Sequence, residues 1–221
     1  IVETPAARDL LKDWIAKGRL VLHVHRNIND IVSYLQIDKT RPAYTSDIYA
    51  VWKRREQWYN ECSNHFYYSS FFQNSEESTK VKQSLNLFLR TITGVRSFEV
   101  PKGRTAFVCL PLPDLREFKD LEASLVGSSA VELRVDLLRE KDQVGDIPSI
   151  EYVNEQVGYL RKATQLPIVF TVRTKSQGGN FPDDAEEEAE KLISLAYKLG
   201  IEVVDVELTW SNGFLSRVVA Q

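Results

Sequence analysis

The sequence predicts an α/β protein whose second half is the first half of a (β/α)8 barrel. Three patterns carry that expectation. From about residue 105 onward, four apolar strand-like runs alternate with helical stretches. Two of those runs, VELRVDLL (131–138) and LPIVFTVR (166–173), carry one apolar and one charged face at the strand period of two. The first forty residues already run helix, strand, helix. Consecutive strand–helix units require parallel pairing with helices covering the outer face. An open doubly wound sheet is a second architecture that fits the same repeat.

The helix at 4–17 follows from Thr4 as N-cap, Pro5 at the first helical position, and Leu10, Leu11, Trp14 and Ile15 at helical spacing; Gly18 is its stop. RLVLHVHRN is a short strand and NDIVSYLQ a helix. The pair His23 and His25 shares one face of that strand, a weak pattern for a metal, and no metal site is expected. Pro42 places Arg41 in a loop. Ile48, Val51, Trp52, Arg55 and Tyr59 then recur at helical spacing, with Lys53, Arg54 and Arg55 consecutive. Cations on a loop and the next helix suit a phosphorylated nucleotide and a small anion. The same pattern fits a solvated helix face with ion pairs to Glu56 and Glu61. Residues 65–79 are expected to be a loop, and 80–93 an amphipathic helix ended by Gly94.

VRSFEVPKGR reads as a linker or entry hairpin, and the domain boundary is placed near residue 95, giving domains 1–94 and 95–221. TAFVCLPLP is the next strand, PDLREFKDLEASLVG a helix and VELRVDLL a strand. EYVNEQVGYLRKAT is a helix, LPIVFTVR a strand, FPDDAEEEAEKLISLAYKLG a helix opened by Pro182 and Asp183, and IEVVDVELTW the fourth strand. In a (β/α)8 barrel the working groups lie at the C-terminal strand ends, where Glu132, Arg134, Arg173 and Glu207 fall. Isolated charge on an inward face is expensive, so the cluster of Glu132, Arg134, Asp136 and Arg173 on the charged strand faces suggests a polar substrate site. The acidic run 183–190 is a solvated helix face.

Composition excludes several classes. Hydrophobic residues at 43% and charged residues at 27% describe an ordinary folded chain. A net charge of −3 gives no general attraction to nucleic acid or an anionic membrane. No run of about 18 apolar residues is long enough to span a bilayer. Two distant cysteines, Cys62 and Cys109, favour a reducing, cytoplasmic compartment. The lack of any methionine suggests a piece of a longer polypeptide.

The run IVETPAARDLL, the strand VLHVHRN and IDKTRPAY…VWKRREQWYNECSN resemble the C-terminal half of a shikimate kinase domain. ELRVDLL, then LPIVFTVRTKSQGGNFP, then VDVEL is similar to type I 3-dehydroquinate dehydratase over roughly residues 104–221. The two in this order resemble the fungal multifunctional AROM family. The resemblance implies a partial P-loop kinase-type α/β domain followed by the first half of a (β/α)8 barrel. It implies that Arg41 contacts ATP phosphates and Arg55 the shikimate carboxylate. Glu132, Arg134 and Arg173 would hold 3-dehydroquinate. Where many bacterial members carry an acidic residue four after that last arginine, this chain has Gln177.

The phosphate-binding P-loop and the Schiff-base lysine and histidine are not in this chain, because no GxxxxGK[ST] occurs and those catalytic groups belong to later strands. No catalytic residue is therefore assigned here, and the piece alone is expected to turn over neither substrate. The cofactors implied are ATP with Mg for a complete kinase and NADP for a dehydrogenase downstream; the dehydratase needs none. Expected partners are small molecules, 3-dehydroquinate and shikimate, with no nucleic acid or membrane and a full-length homodimer. The alternative from another class is a quinate-pathway repressor built from the same domains, sensing metabolites without turnover. Half a barrel leaves sheet edges open, so marginal stability or association is expected of 95–221 alone.

Overall fold

In the computed structural model the described residues are 2–37, 47–70, 72, 74–96, 98–99 and 102–220. The chain separates into two compact units, residues 1–73 and 74–221.

The first unit holds α1 (Pro5–Ala16), β1 (Leu22–His25), α2 (Ile28–Ile37), α3 (Ile48–Glu61) and β2 (His65–Tyr68). The capping expected at α1 is present: Ala7 N donates to Thr4 Oγ1 at 3.3 Å, and Gly18 takes φ +72°, where a side chain would be strained. β1 and β2 pair in parallel, from Leu22 opposite His65 to His25 opposite Tyr68. The segment from His65 is therefore a strand and not the expected loop. Three of its four residues, Phe66, Tyr67 and Tyr68, are strand formers, and Phe66 and Tyr67 are buried. Asn64 ties the two strands together, accepting from Val21 N at 2.8 Å and donating to Arg19 O at 2.9 Å. The His23 and His25 rings share a face, as expected, and stack at 3.7 Å. Burial lowers the first to about 4 and the second to about 3, so both are neutral near pH 7.

The second unit opens with α4 (Ser75–Ile92), which starts five residues before the expected position because Asn74 caps it, accepting from Glu77 N at 2.9 Å. β3 (Phe107–Leu110), α5 (Leu121–Ser124), β4 (Ala130–Arg134), α6 (Ile150–Ala163), β5 (Ile168–Thr171), α7 (Glu186–Lys198), β6 (Val203–Asp205) and α8 (Asn212–Val219) follow. The four strands are parallel and lie in sequence order, β3-β4-β5-β6. A doubly wound sheet would reverse that order at a switch point; the sheet formed here does not.

On the outer face, Leu110, Leu133 and Phe170 align across neighbouring strands and are almost wholly buried, as are Val131 and Ile168 beside them. Val153, Val157 and Leu160 of α6 and Ala189, Leu192, Ile193 and Ala196 of α7 supply the matching core. Each of the Val, Leu, Ile and Phe side chains among them contributes about 1.5–3 kcal/mol by its burial.

Three expected elements are shorter. PDLREFKDLEASLVG forms a 3-10 turn at Leu115–Glu117 and the single turn of α5, not one helix. Gln156, fully buried on α6, holds that turn: its Oε1 accepts from Leu115 N at 2.7 Å and its Nε2 donates to Asp114 at 3.0 Å. VELRVDLL stops being a strand after Arg134 and makes a 3-10 turn over Val135–Leu137. The third is α7, which begins at Glu186 and not at Pro182, because Asp183 accepts from Ser176 N at 3.0 Å and is committed to the preceding loop.

Candidate functional site

Residues in register on neighbouring parallel strands share a face of the sheet. Cys109, Glu132, Val169 and Val203 form one such row; Arg134, Thr171 and Asp205 form the next, nearer the C-terminal strand ends. The opposite face is the apolar core, so the polar groups of three strands converge on one side. Glu132 accepts from Thr171 Oγ1 at 2.8 Å. The guanidinium of Arg134 is held bidentately by Asp136, at 2.8 and 2.7 Å. Asp136 itself is fully buried and takes a third bond, from Asn180 N at 3.0 Å. The 3-10 turn that ends β4 is what aims this carboxylate back at the arginine two residues earlier.

Arg173 lies two residues beyond β5, between Asp205 at 2.6 Å and Glu207 at 3.3 Å. Glu207 is buried and also accepts from Thr174, from its N at 3.1 Å and its Oγ1 at 2.6 Å. The loop 174–181 closes on itself: Lys175 N donates to Phe181 O at 2.9 Å and Phe181 N to Arg173 O at 3.0 Å. Gly178 turns with φ +80°. At Gly179 a Cβ would stand 2.1 Å from Arg173 O, so the backbones can approach only because no side chain is present. Phe181 anchors the loop, fully buried with its ring edge-on to Trp210 at 6.4 Å.

Two guanidinium groups thus sit among four carboxylates, Glu132, Asp136, Asp205 and Glu207. The pairing with Asp136 pushes Arg134 above its ordinary value, so it stays a cation. Burial, with the bond to Glu132 next, pushes the Cys109 thiol up to about 11, so it is an inert neutral group at the floor of the site. Fixed cations backed by buried carboxylates can bind a substrate carboxylate, and Glu132 can accept from hydroxyls. Among the described residues no group of three or more His, Cys, Asp or Glu could hold a metal.

Of the residues that the sequence nominates, the structure places Glu132 in the middle and Arg134 at the end of β4, and Arg173 two residues beyond the neighbouring β5. Sequence reasoning missed the part played by Thr174, and by Gly179, for which the double glycine of SQGGN was the available signal. Arg55 lies on α3 in the first unit, bonded to Glu3 at 2.5 Å with its side chain 41% exposed. Arg41 lies outside the described residues.

A run of parallel strand–helix units with charged groups gathered at the strand C-termini defines the (β/α)8 class of enzyme scaffold. The type I 3-dehydroquinase family model matches residues 106–221, and the shikimate kinase model matches residues 1–93. The chain belongs to the type I 3-dehydroquinase family. It carries the first half of that barrel, preceded by part of a kinase-type α/β domain. It is 46% identical, over its whole length, to a pentafunctional AROM polypeptide of Komagataella phaffii, and 42% identical over its whole length to that of Schizosaccharomyces japonicus. It spans 14% of the length of each of these curated relatives. A solved structure described as dehydroquinate dehydratase and shikimate dehydrogenase from S. pombe AroM covers 53% of this chain and is itself covered to 22%, at 42% identity and a TM-score of 0.51.

Proposed function

We propose that this chain is part of a multifunctional shikimate-pathway polypeptide and supplies the substrate-anchoring half of its dehydratase site. Arg134 and Arg173 bind the carboxylate of 3-dehydroquinate and Glu132 accepts from its hydroxyls. The imine-forming lysine and the proton-carrying histidine come from later strands of the same barrel. The residues here orient the ring so that the carbon beside the imine presents its proton to that histidine. The observation that carries this reading is the pair of arginines, each fixed by a carboxylate of its own at the end of a strand. A prealigned guanidinium loses little freedom when it meets a ligand.

In the kinase portion, Arg55 binds the shikimate carboxylate, and Arg41 contacts the phosphates of ATP, delivered with Mg. A dehydrogenase further along would use NADP, in keeping with the name of the S. pombe relative. Both free cysteines suit a cytoplasmic polypeptide. The metabolite-sensing alternative draws no support, since the relatives reported carry the enzyme's name.

The test is steady-state kinetics on the full-length polypeptide. Arg173→Ala raises the dehydratase KM for 3-dehydroquinate by roughly 10–100-fold, the scale of a charged hydrogen bond, and leaves kinase turnover unchanged. An unchanged KM would remove the anchoring role.

A further inference from the structure

Helix α4 falls inside the shikimate kinase match at residues 1–93, yet it packs within the 74–221 unit. One face of α4 is buried, at Val81, Ser84, Leu87 and Phe88. The helix packs on α6 of the barrel half. Where a Cβ of Gly200 would stand, after α7, Ile92 Cγ2 lies at 3.2 Å and the Phe88 ring at 3.5 Å, so that turn is shaped to the end of α4 by lacking a side chain. Polar pairs flank the apolar contact. Lys80 Nζ meets Glu122 at 2.6 Å, Lys162 Nζ meets Glu77 at 3.2 Å, and Gln165 Nε2 donates to Gln83 Oε1 at 3.3 Å. In each case one partner lies in the kinase match and the other in the dehydroquinase match at 106–221.

We propose that the outer surface made by α6 and the turn at Gly200 is an interdomain docking surface whose occupant is α4, the last helix of the kinase portion of the same chain. By sequence family α4 belongs to one enzyme, and by packing it belongs to the other. Residues 94–105 tether it, so docking is intramolecular and holds at any protein concentration. The local stability of the dehydratase barrel therefore depends on a helix outside its own family segment. This inference rests on the family matches and the packing, and is independent of the substrate roles proposed above.

Hydrogen exchange on the full-length polypeptide tests it. Phe88→Ala speeds amide exchange in α6 (150–163) and at 199–201 by roughly tenfold or more, because local opening there no longer has to displace a buried ring. Exchange that rises only within residues 1–93 would overturn the proposal. If Phe88→Ala does not fold, Lys162→Glu, made on the barrel side, decides: it sets a carboxylate against Glu77, and exchange across α4 (75–92) rises severalfold. Unaltered exchange in α4 would overturn the proposal equally.

Discussion

The arginines proposed to meet substrate in the two units are held in opposite ways. Arg134 ends a strand of a sheet, Arg173 lies two residues beyond the next one, and both are locked by carboxylates that are themselves bonded to backbone N–H groups: Asp136 by Asn180, Glu207 by Thr174. Arg55 rides on a helix and, among the described residues, pairs with the half-exposed Glu3. The difference shows how much of an anchor is built by fold. A parallel sheet fixes the origin of the side chain, and the loop beyond it can return a second carboxylate. A solvated helix face fixes only the Cα, and the guanidinium keeps most of its freedom. Residue type was the same in each case, so the environment made the distinction.

The strongest way to break the caged half of the comparison is through its loop. Gly179→Ala places a methyl group against a backbone carbonyl, 2.1 Å away, which a rotamer change cannot relieve. The loop must move, and Asn180, the third ligand of Asp136, moves with it. We expect a loss of more than about 2 kcal/mol in stability of the second unit, read by thermal unfolding, together with a rise in the dehydratase KM of the full polypeptide. Gly178→Ala, strained only through its φ of +80°, costs about 1–2 kcal/mol. Equal effects of the two would mean the close approach to Arg173 is unimportant.

Next comes Asp136→Ala. It leaves the Arg134 guanidinium, 18% exposed, without its bidentate partner and strands Asn180 N. The expected cost is about 3 kcal/mol, with Asp136→Asn intermediate because the amide still offers one acceptor. A change below about 0.5 kcal/mol in denaturant unfolding would show that the cage is ornamental and would erase the contrast with Arg55.

The alternation of VELRV and IVFTVR made the sheet and its charged face legible, because period two is set by backbone geometry alone. Parallel pairing was legible too, since it follows from the helices between, whereas the order of the strands was not, because a doubly wound sheet fits the same repeat and only the observed order β3-β4-β5-β6 decides. Nor could it be read where each strand stops. Val135–Leu137 continues the strand pattern in sequence, yet it turns because Asp136 gains Arg134 and Asn180 as partners, a tertiary gain invisible to periodicity. HFYY does not declare itself as a strand, because four residues show no period and its partner strand lies 43 residues earlier, Leu22 opposite His65. Asp183 looked like a helix start and was drawn instead to Ser176. The end of β4 and the start of α7 share a cause: Asp136 and Asp183 bond to loop partners rather than continuing their own strand or helix.

The first unit responds to acid through its paired histidines. Burial holds His23 and His25 well below their ordinary value, at about 4 and about 3 in the folded chain. Between their ordinary value near 6.5 and those folded values the unfolded chain binds more protons. Stability is therefore complete above pH 6.5 and falls as the pH drops through the window from 6.5 toward 4 and 3. His25→Phe, which keeps a ring beside Phe66 without a titrating nitrogen, flattens much of that slope. Denaturant titrations at pH 7 and pH 5 measure it, and a slope unchanged by the substitution would reject the stacked pair as its source.

The smallest effect belongs to the uncaged arginine. Glu3→Gln removes the ion pair that Arg55 makes among the described residues, on a surface where both side chains are over 40% exposed. Screening and side-chain entropy leave such a pair worth roughly 0–1 kcal/mol, so unfolding shifts by about 0.5 kcal/mol or less and less still in high salt. Binding separates the two readings of α3. If Arg55 is a solvated surface charge, Glu3→Gln leaves the kinase KM for shikimate alone. If Arg55 anchors shikimate, releasing it from Glu3 removes a competitor for the same guanidinium, and the KM for shikimate falls while that for ATP stays fixed. The same manoeuvre at Arg173, Asp205→Asn, should work the other way and raise the dehydratase KM, because there the carboxylate aligns the guanidinium beside a second partner, Glu207. Opposite signs at the two arginines would establish that a carboxylate neighbour competes with substrate on a helix and positions for it on a sheet.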